Sequence, residues 1–261
     1  MSLHTFFLKL FPNDLHHSIG LHAEVRERMP VKGRVLDLGC GAHKDMARYR
    51  TVEREVWGAD FQTHPNLEFA EWFRLLGPDG AIPFPDDTFD VVVANMVMEH
   101  VESPAAFLHE ISRVLRPGGV FIGHTISGSH YVTWIRQLIG CAPHSFNQWL
   151  VRRLYGRLEV DTFPAYYRLN RTGQIEHACR ETSLRVVGIQ RYADPSYFVF
   201  SRVALASAIV ADRMLASVVS EWGRLYLTVM LTKPDTQRPF DLLPLQQNAQ
   251  PDEGERLSNV A

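Results

Sequence analysis

Short apolar runs alternate with stretches of helical spacing along most of the chain. Arg34-Val35-Leu36-Asp37-Leu38 and Glu55-Val56-Trp57-Gly58-Ala59-Asp60 read as strands, with a third over Trp72 to Leu75. Phe89-Asp90-Val91-Val92-Val93-Ala94 is an almost unbroken apolar run, which suits a central strand covered on both faces. Ser103-Pro104 then supplies an N-cap followed by a proline whose missing N–H costs nothing at a helix start. Phe107, Leu108, Ile111, Val114 and Leu115 follow at helical spacing, so that helix has one buried face. Arg116-Pro117-Gly118-Gly119 stops it and turns the chain into a strand over Val120 to Gly123. Further on, the pattern predicts a helix over Thr172 to Thr182 and strands over Leu184 to Ile189 and Leu225 to Leu231. Between those two strands, Val203, Ala206, Val210, Met214 and Val218 recur every three or four residues, with Arg213, Ser217 and Ser220 opposite. This predicts a connecting helix whose apolar stripe packs on the sheet; a membrane-surface or dimer-forming stripe is the alternative.

Strands alternating with helices predict an α/β fold built on a mostly parallel sheet. Its boundaries follow from composition. Residues 1–30 form an N-terminal helical segment, and the folded domain runs from 31 to 233. The stretch 127–171 lacks clean periodicity and is expected to be an insertion over one end of the sheet. After Lys233-Pro234 the chain turns to Pro, Gln, Asp, Glu, Asn and Ser, so 234–261 is expected to be a tail that buries too little to order itself.

Of the 261 residues, 46% are hydrophobic, ample for one core. The 27 basic and 29 acidic side chains leave a formal charge of −2, which disfavours binding to nucleic acid. Three separated cysteines, Cys40, Cys141 and Cys179, make neither a disulfide framework nor a zinc motif, and point to a reducing cytoplasm. Lys9 interrupts a short apolar N-terminus, which does not read as an export leader. Asp212 and Arg213 interrupt the most apolar later stretch, so no segment is expected to cross a bilayer.

The first strand runs into Asp37-Leu38-Gly39-Cys40-Gly41-Ala42-His43, a glycine bend at the carboxyl edge of the sheet, where open α/β folds bind ligands. Asp60 ends the second strand and is placed to accept hydrogen bonds from both hydroxyls of a ribose. A dinucleotide site wants a third glycine, where this chain has Ala42-His43-Lys44. Asp37 would repel a pyrophosphate but suits a cation, so the charge balance favours S-adenosylmethionine.

These motifs, together with Asp79-Gly80-Ala81-Ile82-Pro83-Phe84-Pro85-Asp86-Asp87-Thr88-Phe89-Asp90-Val91-Val92, Glu99-His100-Val101 and Arg113-Val114-Leu115-Arg116-Pro117-Gly118-Gly119, resemble the class I S-adenosylmethionine-dependent methyltransferases, type 11 branch. The resemblance covers residues 31 to 125. It implies a Rossmann-like seven-stranded sheet of order 3-2-1-4-5-7-6 with a last antiparallel strand and helices on both faces. It also implies that Asp37, Gly39, Cys40 and Gly41 line the methionine end of the cofactor and that Asp60 holds the ribose. Phe61 would cover the adenine, Asp79 and Gly80 would address its amino group, and Asn95 and Met96 would border the sulfonium. His43 departs from the family's third glycine, and the loop from Asp79 to Pro83 is one residue short of the common form. Asp86, Asp87 and Asp90 read as turn formers and a strand anchor.

Methyl transfer needs alignment and desolvation and no covalent intermediate. A hydroxyl or amine acceptor would gain from a general base, and His124 and His100, each following a strand, are the candidates, with Glu99 to orient either. His100, in a shared family motif, also reads as a loop anchor. His16, His17 and His22 show no ligand spacing with a cysteine or carboxylate, so no metal is expected. Aromatic residues and arginines interleave between 127 and 171, either packing a small subdomain or covering an acceptor with a ring or sugar face and an anionic group. Phe163-Pro164-Ala165-Tyr166-Tyr167-Arg168 resembles a segment of type 11 members associated with bacterial cell-surface glycan or lipid pathways. The expected acceptor is therefore a small molecule, free or linked to a sugar or lipid, methylated at oxygen, with peripheral membrane contact open. A cofactor-binding regulatory module and a nicotinamide-dependent oxidoreductase remain alternatives.

Overall fold

The computed structural model describes residues 16–67, 69–140, 164–194, 198, 201–219 and 221–235. Seven strands form one sheet in the order β3-β2-β1-β4-β5-β7-β6. They are β1 (Gly33–Leu38), β2 (Arg54–Asp60), β3 (Phe73–Leu75), β4 (Phe89–Asn95), β5 (Leu115–Ile126), β6 (Arg185–Tyr192) and β7 (Tyr226–Thr232). The first five are parallel, and β7 lies antiparallel between β5 and β6. Among the described residues five helices accompany them: α1 (His17–Arg28), α2 (Pro104–Val114), α3 (Tyr131–Gly140), α4 (Thr172–Arg180) and α5 (Arg202–Val218).

The strand alternation sorts the core into two layers. Leu36, Leu38, Phe89, Val92 and Ala94 point to one face, where Leu108, Ile111 and Val114 of α2 and Ile175 and Ala178 of α4 cover them. Val35, Val56, Val91, Val93, Ile122 and Met230 point to the other, beneath Leu21 and Val25 of α1 and Met46. Both faces of β4 are therefore dry, which is why its sequence shows no polar alternation. Leu21 and Val25 are 1% and 0% exposed, and burial of each contributes about 1.5–3 kcal/mol to holding α1 on the sheet.

Acidic anchors set the strand starts. Asp90 accepts from the backbone N–H of Arg34 at 2.7 Å and from the Arg116 guanidinium at 3.0 Å, tying β1, β4 and β5 together. Arg113 pairs with Asp86 and Glu110 and donates to the carbonyls of Phe84 and Ile82, fixing the loop before β4. Helix α2 begins at Pro104 as predicted, with no bond from the Ser103 side chain. Arg116 to Gly119 do not separate helix from strand: β5 starts at Leu115 and runs through them, with a shift in its pairing to β4 between Phe89 and Val91.

The apolar stripe predicted to seat α5 on the sheet lies on its outer side. Val203, Val210, Met214 and Val218 are 56–76% exposed, while Leu205, Ala208, Ile209 and Asp212 are buried. Asp212 deceives the pattern. It sits inward because His130 Nε2 faces its Oδ1 at 3.3 Å, so the packed side carries a charge and looks polar. Among the described residues no helix is long and apolar enough to cross a membrane. Of the expected insertion, residues 141–163 lie outside the described residues, as does the tail from 236 onward.

Candidate active site

The strand order reverses direction between β1 and β4, which opens a crevice at the carboxyl ends of those two strands. The glycine bend lies on one side and Asn95 and Met96 on the other. Gly39 and Gly41 adopt left-handed backbone angles, φ 73° and 51°. A side chain placed on Gly41 would meet nothing within 4 Å, so the bend exposes bare backbone to the crevice. The N–H groups of Gly39 and Cys40 donate to the Ala59 carbonyl at 2.7 and 3.3 Å, pinning the bend to β2.

Asp60 completes that attachment. Its Oδ2 accepts from the Gly41 N–H at 2.9 Å and its Oδ1 from the Phe61 N–H at 2.7 Å. Each oxygen keeps a second lone pair for a ligand hydroxyl. Phe61 is 52% exposed, and its ring edge stands 3.8 Å from where a Gly80 side chain would begin. The loop from 77 to 81 closes on itself through Gly77 and Gly80, leaving Asp79 exposed at the rim. Phe61 and the loop 77–81 thus form a rim beside Asp60, a slot-like edge of backbone and ring.

His43, where a third glycine was looked for, adopts the left-handed angle a glycine would take, φ 54°, and is fully buried. Its ring fits because Gly58 has no side chain: a Cβ there would fall 2.7 Å from His43 Nδ1 and 2.8 Å from Cys40 Sγ. His43 Nδ1 stands 3.5 Å from Asp37 Oδ2, and neither atom has a hydrogen-bond partner. Burial pushes the Asp37 carboxyl above the usual carboxylate range, with His43 opposing the shift. Burial, reinforced by Asp37 and Asp60, likewise raises the Cys40 thiol, so Cys40 lines the bend as a neutral group. Asp37, with Oδ2 turned to the buried His43 ring, stands two residues before the bare bend, and a carboxylate there fits a cationic methionine end, as S-adenosylmethionine has.

Across the crevice, Met96 takes a left-handed angle, φ 57°, and its N–H donates to the His124 carbonyl at 2.8 Å. Asn95 Nδ2 faces Asp45 Oδ2 at 3.4 Å, and Asp45 pairs with His22 of α1 at 3.2 Å. The His22 hydrogen bond, opposed by burial, holds the Asp45 carboxyl below its ordinary range. Helix α1 thus spans the crevice from the loop after β1 to the end of β5.

The two candidate bases part company here. His100 Nδ1 donates to the Pro164 carbonyl at 2.9 Å, while the Glu99 carbonyl accepts from the N–H groups of Tyr166 and Tyr167 at 2.8 and 3.1 Å. His100 therefore fastens the segment 164–168, the anchoring role. Glu99 is 4% exposed and its carboxylate accepts from Thr125 Oγ1 at 2.6 Å, so it orients neither histidine. His124 is 1% exposed with both ring nitrogens engaged: Nδ1 with Thr228 Oγ1 at 2.8 Å and Nε2 with His17 Nδ1 at 3.0 Å. Burial lowers its pKa to about 3. It is closed off on both sides, and its neighbour His17 is the more exposed of the two rings.

His17 is the site residue that sequence reasoning passed over. Its ring stacks on Tyr226 with centroids 3.8 Å apart, and burial lowers its pKa to about 4. Nε2 stands 3.5 Å from Asp194 Oδ2, and His16 Nε2 stands 3.9 Å from the same oxygen. The expectation that His16 and His17 lack a carboxylate partner is thereby corrected. Asp194, just past β6, is far from them in sequence, and only the sheet order brings it near. The adjacent histidine pair at a helix start was the visible trace.

Residues 15–186 match a family of methyltransferase domains. A probable S-adenosylmethionine-dependent methyltransferase of Mycolicibacterium smegmatis is 37% identical over 95 residues, covering 35% of this chain and 37% of its own length. A demethylmenaquinone methyltransferase of Clavibacter sepedonicus is 36% identical over 107 residues, 37% of this chain and 43% of the relative. The chain thus spans less than half the length of these curated relatives. Among solved structures, a geranyl diphosphate C-methyltransferase from Streptomyces coelicolor superposes with TM-score 0.53 at 13% identity over 83% of this chain and 80% of that one. A putative sarcosine dimethylglycine methyltransferase from Galdieria sulphuraria gives 0.51 at 15% over 88% and 98%. Both share the fold. The nicotinamide alternative has no counterpart in these matches. A family match over more than half the chain, on a sheet with the expected strand order, means that the chain belongs to the class I S-adenosylmethionine-dependent methyltransferases, of the type 11 kind.

Proposed function

We propose that the chain transfers a methyl group from S-adenosylmethionine to an oxygen atom of a small-molecule acceptor, free or linked to a sugar or lipid. The observation that carries the first half is the open glycine bend bound to Asp60, with the buried Asp37 carboxyl two residues before it. When bound, the cofactor supplies an electrophilic methyl group on a positively charged sulfur. Asp37 and the backbone of Gly39 to Gly41 hold its amino-acid end, Asp60 takes the ribose hydroxyls, and Phe61 with Gly80 flanks the base. Asp79 lies at the rim of that slot, where it meets the adenine edge. Asn95 and Met96 form the wall beside the reacting centre.

An acceptor reaching that centre lies at the carboxyl ends of β4 and β5, under the start of α1. An alcohol is a poor nucleophile until its proton leaves. Two imidazoles and a carboxylate, His16, His17 and Asp194, stand at this edge and lower the cost of that loss, which supports oxygen as the methylated atom. His124 orients His17 from behind. A lipid-linked acceptor gains support from exposed Trp134, Ile135 and Leu138 on α3, which follows β5 on the same side.

The test uses cofactor labelled in its methyl group, the purified chain, and aqueous and organic fractions of a cell extract. Release of S-adenosylhomocysteine with label on an oxygen atom, located by mass spectrometry, is the expected outcome. Tight cofactor binding without turnover in any fraction would favour the regulatory module, and label on carbon or nitrogen would refute the oxygen assignment.

A further inference from the structure

We propose that His16, His17 and Asp194 form a binding site for a divalent first-row transition metal ion that accepts mixed nitrogen and oxygen donors, as zinc does. The three donor atoms all lie within 4.8 Å of one another. The gaps from Asp194 Oδ2 to the rings, 3.5 and 3.9 Å, exceed the 2.7–3.2 Å range of N–H···O hydrogen bonds. The shorter gap suits a different geometry. Two ligands bound at ~2.1 Å in a tetrahedral arrangement stand ~3.4 Å apart. Small closing movements of the histidine rings bring the set onto one ion.

The surroundings fit a ligand set rather than three groups met by chance. A metal-binding histidine commonly donates its other ring N–H to an acceptor, which fixes its tautomer. His17 Nδ1 has such a partner in His124 Nε2 at 3.0 Å, and His124 Nδ1 continues to Thr228 Oγ1 at 2.8 Å. With both rings neutral, the protons of this chain run in either direction. Run from His17 toward Thr228, they leave the His17 Nε2 lone pair aimed at Asp194. His16 Nδ1 accepts from the Ser18 N–H at 3.4 Å and lies 2.8 Å from Ser18 Oγ; binding an ion through Nε2 places the ring proton on Nδ1, which then donates to Ser18 Oγ and gives up the weak backbone cap. Asp194 is 3% exposed, whereas His16 and His17 are 29% and 20% exposed, so the carboxylate forms the closed side and an ion enters past the rings.

Two imidazoles and one carboxylate favour a borderline ion over magnesium or calcium, which prefer all-oxygen sets. Three protein ligands leave at least one position open. The ion ties the first turn of α1 to the segment after β6, and its open position takes an oxygen donor. That this donor is the acceptor hydroxyl, whose proton the ion would make easier to lose, rests on the methyl-transfer reading. Ion binding itself does not, and it is measured without cofactor or acceptor.

The experiment uses the full chain freed of any histidine tag and stripped with chelator. Titration with cobalt(II) should produce the intense visible bands of four- or five-coordinate cobalt, bleached by an equivalent of zinc and unchanged by excess magnesium. Asp194→Asn and His17→Gln should each weaken cobalt binding at least about tenfold, and His124→Phe should weaken it less, through loss of the outer partner. Zinc-edge X-ray absorption on the unmodified chain should show two imidazoles in the first shell, a readout independent of how the variants fold. An oxygen-only shell, or cobalt affinity unchanged in both ligand variants, would overturn the site.

Discussion

Asp60 accepts the Gly41 backbone N–H at 2.9 Å, so the carboxylate assigned to the ribose also holds the glycine bend in shape. One side chain thereby links the second strand to the loop after the first, and couples cofactor affinity to the form of its cradle. Asp60→Ala should weaken S-adenosylhomocysteine binding by about 1–3 kcal/mol, as loss of hydrogen bonds to a charged acceptor implies. Asp60→Asn keeps one acceptor oxygen for Gly41 and should lose less. Calorimetric titration showing no change in Asp60→Ala removes the ribose assignment.

The role proposed for Asp37 predicts that cofactor binding depends on pH. Burial raises its pKa, so on acidification it takes up a proton sooner than an ordinary carboxyl group. A cationic cofactor prefers the carboxylate, so the complex holds fewer protons than the empty site and affinity must fall as pH falls through that raised value. Titrations from about pH 8 to about pH 5 should show this decline in the native chain and a flatter profile in Asp37→Asn. Equal slopes in both would refute the role given to Asp37.

His124 lies behind the site, and its replacement tests that placement. His124→Phe preserves a ring against Tyr226, whose centroid is 5.5 Å away, but strips the partners of His17 Nδ1 and Thr228 Oγ1. Leaving His17 Nδ1 unpaired costs about 1–3 kcal/mol, while Thr228 keeps its hydrogen bond with Tyr192, so the melting temperature should drop along with turnover. Full stability with lost turnover would instead indicate that His124 touches the acceptor.

Arg113 holds the loop that leads into β4. It donates to the Ile82 and Phe84 carbonyls, each at 2.8 Å, while paired with Glu110. Arg113→Met should cost on the order of 2 kcal/mol of stability, because two partly buried carbonyls lose a charged donor. Its effect on cofactor affinity should be small. Thermal unfolding and titration measured together check both statements.

Local chemistry made much of this protein readable from its residues. Val91, Val92 and Val93 announce a doubly covered strand because both faces of β4 exclude water, and Gly39, Gly41 and Asp60 mark a nucleoside site because only glycine and a strand-end carboxylate serve there. Residues close in sequence make those features, so spacing suffices to find them. Where distant segments must meet, spacing fails. Nothing near His17 hints at Asp194 or Thr228, since antiparallel pairing of β7 between β5 and β6 delivers them. Asp212 hid the packed side of α5 because its partner, His130, lies 82 residues away.

The amino-acid order alone determined that this chain folds as a doubly covered sheet with a nucleoside cradle, because hydrophobic period and turn chemistry act over a few residues. Only the assembled sheet decided which histidine stands partly exposed beside Asp194, which is buried behind it and which fastens a loop. Burial and partner distance set those roles, and both are properties of strands brought together from far along the chain.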